Sequence, residues 1–345
     1  MAGRNVVFGL MLTLLLVSML RVVLNVEVVM ATGTIYIRAD GSIDPPTAPI
    51  QRDGDVYNLT GNITFGSSQN GIVIERNNMT LDGAGYTVQG IMTQPYFTTG
   101  YGVILASTMN VTIKNMKVSA YGSGILLDGS SNNTIVANYI SPDVNAIHLL
   151  WGSDYNTIAE NDILGGWEFA VCAAYSNYNR IIRNNITNSA NGVYLYLSSN
   201  SSIFGNSIYV NTAGVLLEDS TNTSIIENHV TNNEFGILFF DSSNNTIYHN
   251  NFVNNTNQAD AYNSVNVWDD GYPFGGNYWS DYTDVDLYCG PYQNETGSDG
   301  HMGSPIHYQC GQHRQVSTSK SVVSTYPRCS FPLSNYRLLL WTCLP

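Results

Sequence analysis

Charge is scarce in this chain. Asp, Glu, Lys and Arg make up 11% of its 345 residues, and 13 basic residues stand against 26 acids, for a formal net charge of −13. That balance excludes nucleic acid as a partner, because phosphate binding needs a basic surface. Cysteine is scarce too. The five residues, at 172, 289, 310, 329 and 343, are odd in number and include no Cys-x-x-Cys pair, so a disulfide framework is not supported. Long apolar runs are confined to the N-terminus. Val6–Leu20 spans 15 residues, short for a membrane span, with Arg4 before it and Ala31 as a cleavage position. Residues 1–31 therefore read as an export signal, with an uncleaved anchor that tolerates Arg21 as the competing reading. Either way the expected location is extracellular or at the cell surface, with membrane contact only through this segment.

What is present is a repeat. Central Asn-x-Ile steps begin at Asn138, Asn161, Asn184 and Asn206, and continue as Asn228-x-Val230 and Asn250-x-Phe252, with the asparagines spaced 23, 23, 22, 22 and 22 residues apart. Asn-Thr-Ile steps stand at Asn133, Asn156 and Asn245. A third step, small residue-aliphatic-x-aliphatic, begins at 102, 124, 146, 170, 192, 214 and 236. Each repeat holds three short alternating apolar pieces and no helical pattern, and three strands with their turns use up 22 residues. A fixed period of this length dictates a solenoid. The fold class is all-β, a right-handed parallel β-helix of about 22 residues per coil, rising about 4.8 Å per coil. Ile113, Ile135, Ile158, Ile181, Ile203, Ile225 and Ile247 would form an interior stack. The asparagines belong to the turns, where they tolerate left-handed backbone and bond the neighbouring coils, a structural role. With 43% hydrophobic residues and 23 tyrosines, the chain does not read as disordered.

The organisation predicted is an N-terminal cap and irregular first coils over 32–101, regular repeats over 102–252, and a closing segment over 253–300. From His301 the composition changes: residues 301–345 contain no acid, whereas residues 32–300 hold 25 acids and seven bases. This atypical tail reads either as a basic, loosely ordered tail or as the product of a frameshift, since a shifted frame over Pro305–Ser319 is compatible with a string of body-like composition. Asn-x-Ser/Thr sequons occur at Asn58, Asn62, Asn78, Asn110, Asn132, Asn185, Asn200, Asn222, Asn244, Asn254 and Asn294, in keeping with exposure to a glycosylating compartment.

The repeats, the opening Tyr36-Ile37-Arg38-Ala39-Asp40-Gly41-Ser42-Ile43 and the block Gly276-Asn277-Tyr278-Trp279-Ser280-Asp281-Tyr282 resemble the NosD-type parallel β-helix proteins, also described as carbohydrate-binding and sugar-hydrolase repeat domains, in an exported archaeal set. The resemblance covers about residues 32–300. It implies a β-helix, and its name implies copper delivery, while the fold also serves lyases, epimerases and adhesins. Residues 32–300 contain no His-x-His step and no Met-rich tract, which argues against copper, a metal that wants His, Met or Cys clusters.

Alternation along the third step places Ile104, Leu126, His148, Cys172, Tyr194, Leu216 and Leu238 on an outward ladder, with Asp128, Leu150, Ala174, Tyr196, Glu218 and Phe240 two residues on. Asp128, His148, Tyr194, Tyr196 and Glu218 are thus the candidate ligand-binding residues, rings to stack on sugar CH groups and carboxylates to accept hydroxyls. Asp281, Asp284 and Asp286 are weak candidates for calcium, which prefers several oxygen ligands. On its ladder Glu218 has no acid one coil below (Tyr196) or above (Phe240), which argues against a paired-carboxylate site there. Lys114, Lys117, Arg180 and Arg183 are the bases of the repeat region, and none falls on this ladder. The expected function is non-catalytic carbohydrate binding or a cell-envelope role for a monomeric, exported protein with a polysaccharide or glycan partner. The alternatives are a polysaccharide lyase, epimerase or hydrolase, and a copper-binding accessory protein of NosD type.

Overall fold

The computed structural model describes residues 29–30, 33–66, 69–91, 100–119, 122–142, 144–270, 275–282, 288–289 and 295–296. Most of the export segment, all of the tail over 301–345, and Asn294, Asp284 and Asp286 lie outside the described residues. The described residues form strands and turns and no helix, so none offers a helix long and apolar enough to cross a membrane.

The chain winds as a parallel β-helix of about nine coils. Each regular coil contributes one strand to each of three sheets, and every strand pairs in parallel with the strand one coil on. The long sheet holds six-residue strands such as Ser123–Asp128, Asn145–Leu150, Phe169–Ala174, Asn191–Tyr196 and Ala213–Glu218. The other two sheets hold short strands, Thr134–Val136 and its repeats in one and Tyr139–Ser141 and its repeats in the other. Stacking begins earlier than the regular repeats, with Ile35–Ile37 against Ile72–Ile74, and ends later, with Tyr278–Trp279 against Asn251–Val253. Antiparallel pieces cover the first coils, Ile43–Asp44 on Ile35–Ile37 and Ile50–Asp53 on Val56–Leu59. Such pieces use up backbone groups that an open sheet edge would leave unpaired.

Alternation puts one side of every short strand inside. All seven isoleucines of the expected stack, Ile113 to Ile247, are fully buried. Each contributes about 1.5–3 kcal/mol of apolar burial. Trp268 and Trp279 close the far end of this core, Trp279 stacking on Phe252 at 4.5 Å. The small residue opening each long strand is a packing requirement: a Cβ on Gly214 would lie 2.6 Å from the Gly236 carbonyl oxygen and 2.8 Å from Val230.

Buried side-chain ladders hold the corners. In the central one, Asn161 Oδ1 accepts the Asn138 backbone N–H at 3.0 Å and its side-chain N–H at 3.0 Å, while Asn138 Nδ2 also donates to the Ile113 carbonyl one coil back. The same unit repeats through Asn184, Asn206, Asn228, Asn250 and Asn277. A second asparagine ladder runs from Asn133 through Asn156 to Asn179, a third from Asn211 through Asn233 to Asn255, and a serine ladder from Ser130 to Ser264. One expectation needs correcting. The left-handed residue at the central corner is not the ladder asparagine but the one before it: Ala137, Glu160, Arg183, Gly205, Glu227 and His249. The asparagine is committed to the interior, where its amide is fully bonded. The strained slot faces solvent and accepts almost any side chain.

Candidate aromatic corner

The turn that follows each long strand has the same build in six successive coils. It opens on an exposed or half-exposed left-handed residue, passes a buried serine of the ladder, and closes on a second left-handed residue. The opening column is Gly129, Trp151, Tyr175, Leu197, Asp219 and Asp241, and the closing column is Asn132, Tyr155, Tyr178, Asn200, Asn222 and Asn244. The serine between them, for example Ser153 with its Oγ donating to the Leu150 and Leu127 carbonyls, fixes the turn so that both columns project outward.

Two adjacent coils place aromatic residues in both columns, where the other coils place Gly, Leu, Asp and Asn. Trp151 stacks on Tyr175 with ring centroids 4.7 Å apart and 12° between planes, and Tyr155 stacks on Tyr178 at 4.7 Å and 4°. All four are exposed, from 37% at Tyr175 to 55% at Tyr155. The indole side away from Tyr175 looks along the column to Gly129, which has no side chain. Rings held in pairs by their own stacking, about 0.5–1.5 kcal/mol per pair, are preorganised apolar platforms. Further along the opening column stand Asp219 and Asp241, both exposed. They lie roughly 10 and 14 Å from Tyr175 at the strand spacing.

The rings continue onto the long sheet. Tyr175 meets Tyr196 edge-on at 5.5 Å, Tyr196 lies 6.2 Å from Tyr194, and Tyr194 stacks on Phe169 at 5.1 Å. Tyr194 donates its phenol hydrogen to Glu218 Oε2 at 2.8 Å. Burial, the Tyr175 phenol and the charges of Glu218 and Asp219 push the Tyr196 hydroxyl up to about 12, so it stays a neutral donor at physiological pH.

Of the residues expected from alternation, the fold brings Tyr194, Tyr196 and Glu218 together on adjacent coils. Asp128 is exposed but stands three coils from Tyr196 on its ladder, roughly 14 Å away. His148 and Tyr194 are on the outer face as expected, yet both are buried, at 3% exposure. Their neighbours on that face, Leu126, Phe169, Cys172 and Leu216, are apolar, and together they form a second buried cluster separate from the helix core. Alternation assigns a side, not an exposure. The aromatic corner was not among the expected residues. Its signal is four bulky aromatics, two in each of two turn columns otherwise filled by Gly, Leu, Asp and Asn.

No group of three or more His, Cys, Asp or Glu side chains placed to hold a metal occurs among the described residues. His148 and Cys172 are register neighbours, whereas His229 pairs with Asn251, and His249 sits in a turn slot. Asp281 is exposed beyond the last described coil. A shallow, open groove of about 770 Å³ lies at the opposite end of the long strands, between Gly165, Gly166, Trp167 and Ser189, and no ionisable side chain lines it.

The chain matches the profile of the family described as periplasmic copper-binding protein (NosD) over residues 33–168 and 86–284. No curated protein matches it in sequence. Among solved structures it is similar to the periplasmic alginate epimerase AlgG, at 16% identity over 75% of this chain and 74% of that one, with a TM-score of 0.44. It is also similar to the A-module of the Azotobacter vinelandii mannuronan C-5 epimerase AlgE4, at 14% identity over 74% and 89% with a TM-score of 0.41. Tailspike protein 2 of bacteriophage CBA120 matches at 15% identity over 61% and 40%, with a TM-score of 0.44. Likenesses this distant carry no argument about activity or ligand.

Proposed function

The chain belongs to the NosD family, and from that footing and the geometry of the corner we propose that it is an exported, non-catalytic β-helix that binds glycans. The observation that carries the proposal is the pair of exposed aromatic stacks, Trp151 on Tyr175 and Tyr155 on Tyr178. A pyranose presents CH groups on one face and hydroxyls around its rim. The rings supply the apolar platform, and Asp219 and Asp241 supply acceptors further along the same column. The ligand lies along the helix axis, parallel to the column.

One feature favours binding over turnover. No Lys or Arg occurs in any of the six-residue strands of the long sheet, so an acidic sugar has no cation to neutralise it on that face. Lys114 is engaged with Asp82 on another sheet at 3.2 Å, and Arg183 occupies a central turn slot. The family description implies copper, but the described residues do not fit it: His148 and Cys172 are register neighbours, and no group of three or more His, Cys, Asp or Glu placed to hold a metal occurs among the described residues.

The test is a glycan array with the purified full-length protein, followed by titration calorimetry on any hit. Trp151→Ala should weaken binding roughly tenfold, the scale of a central aromatic contact. Binding unchanged in both Trp151→Ala and Tyr178→Ala removes the site. New unsaturated or reducing ends in an acidic polysaccharide incubated with the protein overturn the non-catalytic reading.

A further inference from the structure

Ten Asn-x-Ser/Thr sequons fall among the described residues, and the fold sorts them. Six occupy one place in the coil, the closing column of the turn: Asn78, Asn110, Asn132, Asn200, Asn222 and Asn244. All six are exposed, with φ between 55° and 62°. Within the column Asn110 Nδ2 donates to Asn78 Oδ1 at 2.9 Å; elsewhere Asn62 accepts the Thr87 N–H with its side chain, and Asn185 donates its amide to Asp162.

The left-handed backbone explains asparagine in the column. It does not explain the hydroxyl two residues on. Those residues, Thr80, Thr112, Thr134, Ser202, Ser224 and Thr246, are half-buried on the outward side of the adjoining short strand. Their hydroxyls make no hydrogen bond among the described residues. Strand propensity selects threonine but not serine, so Ser202 and Ser224 are not chosen by the sheet. Each coil with a column asparagine thus presents an exposed amide with an unengaged hydroxyl one short step away. The column breaks at two coils only, where Tyr155 and Tyr178 stand in it.

We propose that this column carries N-linked glycans on both sides of the aromatic corner, and that Tyr155 and Tyr178 keep the two central coils bare. The donor is a lipid-phosphate-linked oligosaccharide outside the cytoplasm, used by a transferase. The asparagine Nδ2 forms a bond to the anomeric carbon as the carbon–oxygen bond to phosphate breaks. The lipid phosphate leaves with that electron pair, and one amide proton goes to a base. Neighbouring coils are about 4.8 Å apart, so in the run Asn200, Asn222, Asn244 the middle site is crowded and is filled less often than its flanks. Occupancy of the column does not depend on the glycan-binding reading; only the purpose of the bare window rests on it.

The test is glycopeptide mass spectrometry on the full-length protein secreted by its own cells. The expected result is sugar on column asparagines. Thr134→Ala, which keeps Asn132 and its turn, should lose one glycan. Tyr155→Asn restores a sequon with Thr157 and should gain one. Sugar absent from the column, or confined to Asn58, Asn62, Asn185 and Asn254, overturns the proposal. So does a Tyr155→Asn protein that gains no sugar while Asn132 carries it. If that variant gains its glycan and still binds oligosaccharide like the parent, the column stands and the binding corner falls. Loss of binding only in the glycosylated form of the variant supports both.

Discussion

The buried side-chain amide of Asn179 has no hydrogen-bond acceptor, and the residue that should provide one, one coil on, is Ser201. Ser201 Oγ accepts the Asn179 backbone N–H at 3.2 Å, but it takes over only one of the two bonds a ladder asparagine makes. Where the ladder is intact, Asn179 Oδ1 accepts both the backbone and the side-chain N–H of Asn156. Ser201→Asn should complete the step and stabilise the protein by about 1–2 kcal/mol, since a buried unsatisfied amide costs that order. Urea unfolding of the two proteins checks it. A lower midpoint in the variant shows that the site cannot admit the longer side chain.

The interior was legible because two periods coincide. The 22-residue beat fixes which residues stack, and alternation fixes which of them point inward, so Ile113 to Ile247 follow directly. The ladder asparagines were legible for the same reason: their role repeats, so their identity repeats. The strained turn slots were not. Ala137, Glu160, Arg183, Glu227 and His249 share a backbone conformation and no common chemistry, because a slot this exposed does not select its side chain. The aromatic corner was hidden by the same freedom. Its columns change residue from coil to coil, and only the backbone shows that Trp151 and Tyr175, 24 positions apart, are neighbours. His148 and Tyr194 show the complementary gap, since burial of an outer face depends on what packs there and not on the alternation that assigns it.

Val210 occupies a left-handed slot at φ 58°, in a column where the other coils place Asn188, Asn232 and Asn254. It is half exposed and β-branched, so it bears the steric cost of that conformation with little burial in return. Val210→Asn should raise stability by about 1 kcal/mol. The comparison is made by thermal unfolding of proteins produced without glycosylation, because the change also completes a sequon with Thr212. A variant that melts lower would show that the Val210 side chain contributes packing that its exposure conceals.

Asp260 takes the place of Leu238 on the outer ladder of the last long strand, and burial raises its carboxyl above the ordinary value of 3.8. A carboxyl raised in the folded state contributes stability that is complete below the unfolded value and lost as pH rises through the folded one. At neutral pH the folded protein therefore holds an ionised carboxylate in an unfavourable setting. Asp260→Asn should be more stable than the parent at pH 7, and the difference should shrink to nothing below pH 3.8. A difference that stays constant with pH would place the effect in packing instead.

Tyr196 supplies the alkaline counterpart. Its hydroxyl is held up to about 12, against 10.0 for the free phenol, first by burial and then by Tyr175 and the carboxylates of Glu218 and Asp219. The neutral form is favoured in the folded protein, so its contribution to stability is complete below pH 10 and is lost as pH rises toward 12. The parent should lose stability across that window faster than Tyr196→Phe, which has no proton to release. Unfolding midpoints of both proteins between pH 9 and 12 measure this, and the phenolate absorbance of the folded parent should match that of the variant through pH 10 and exceed it by one tyrosine only as pH approaches 12. Parallel pH profiles would mean that Tyr196 ionises like a phenol in water, and that the edge-on contact with Tyr175, which joins the exposed corner to the sheet face, is not kept in solution.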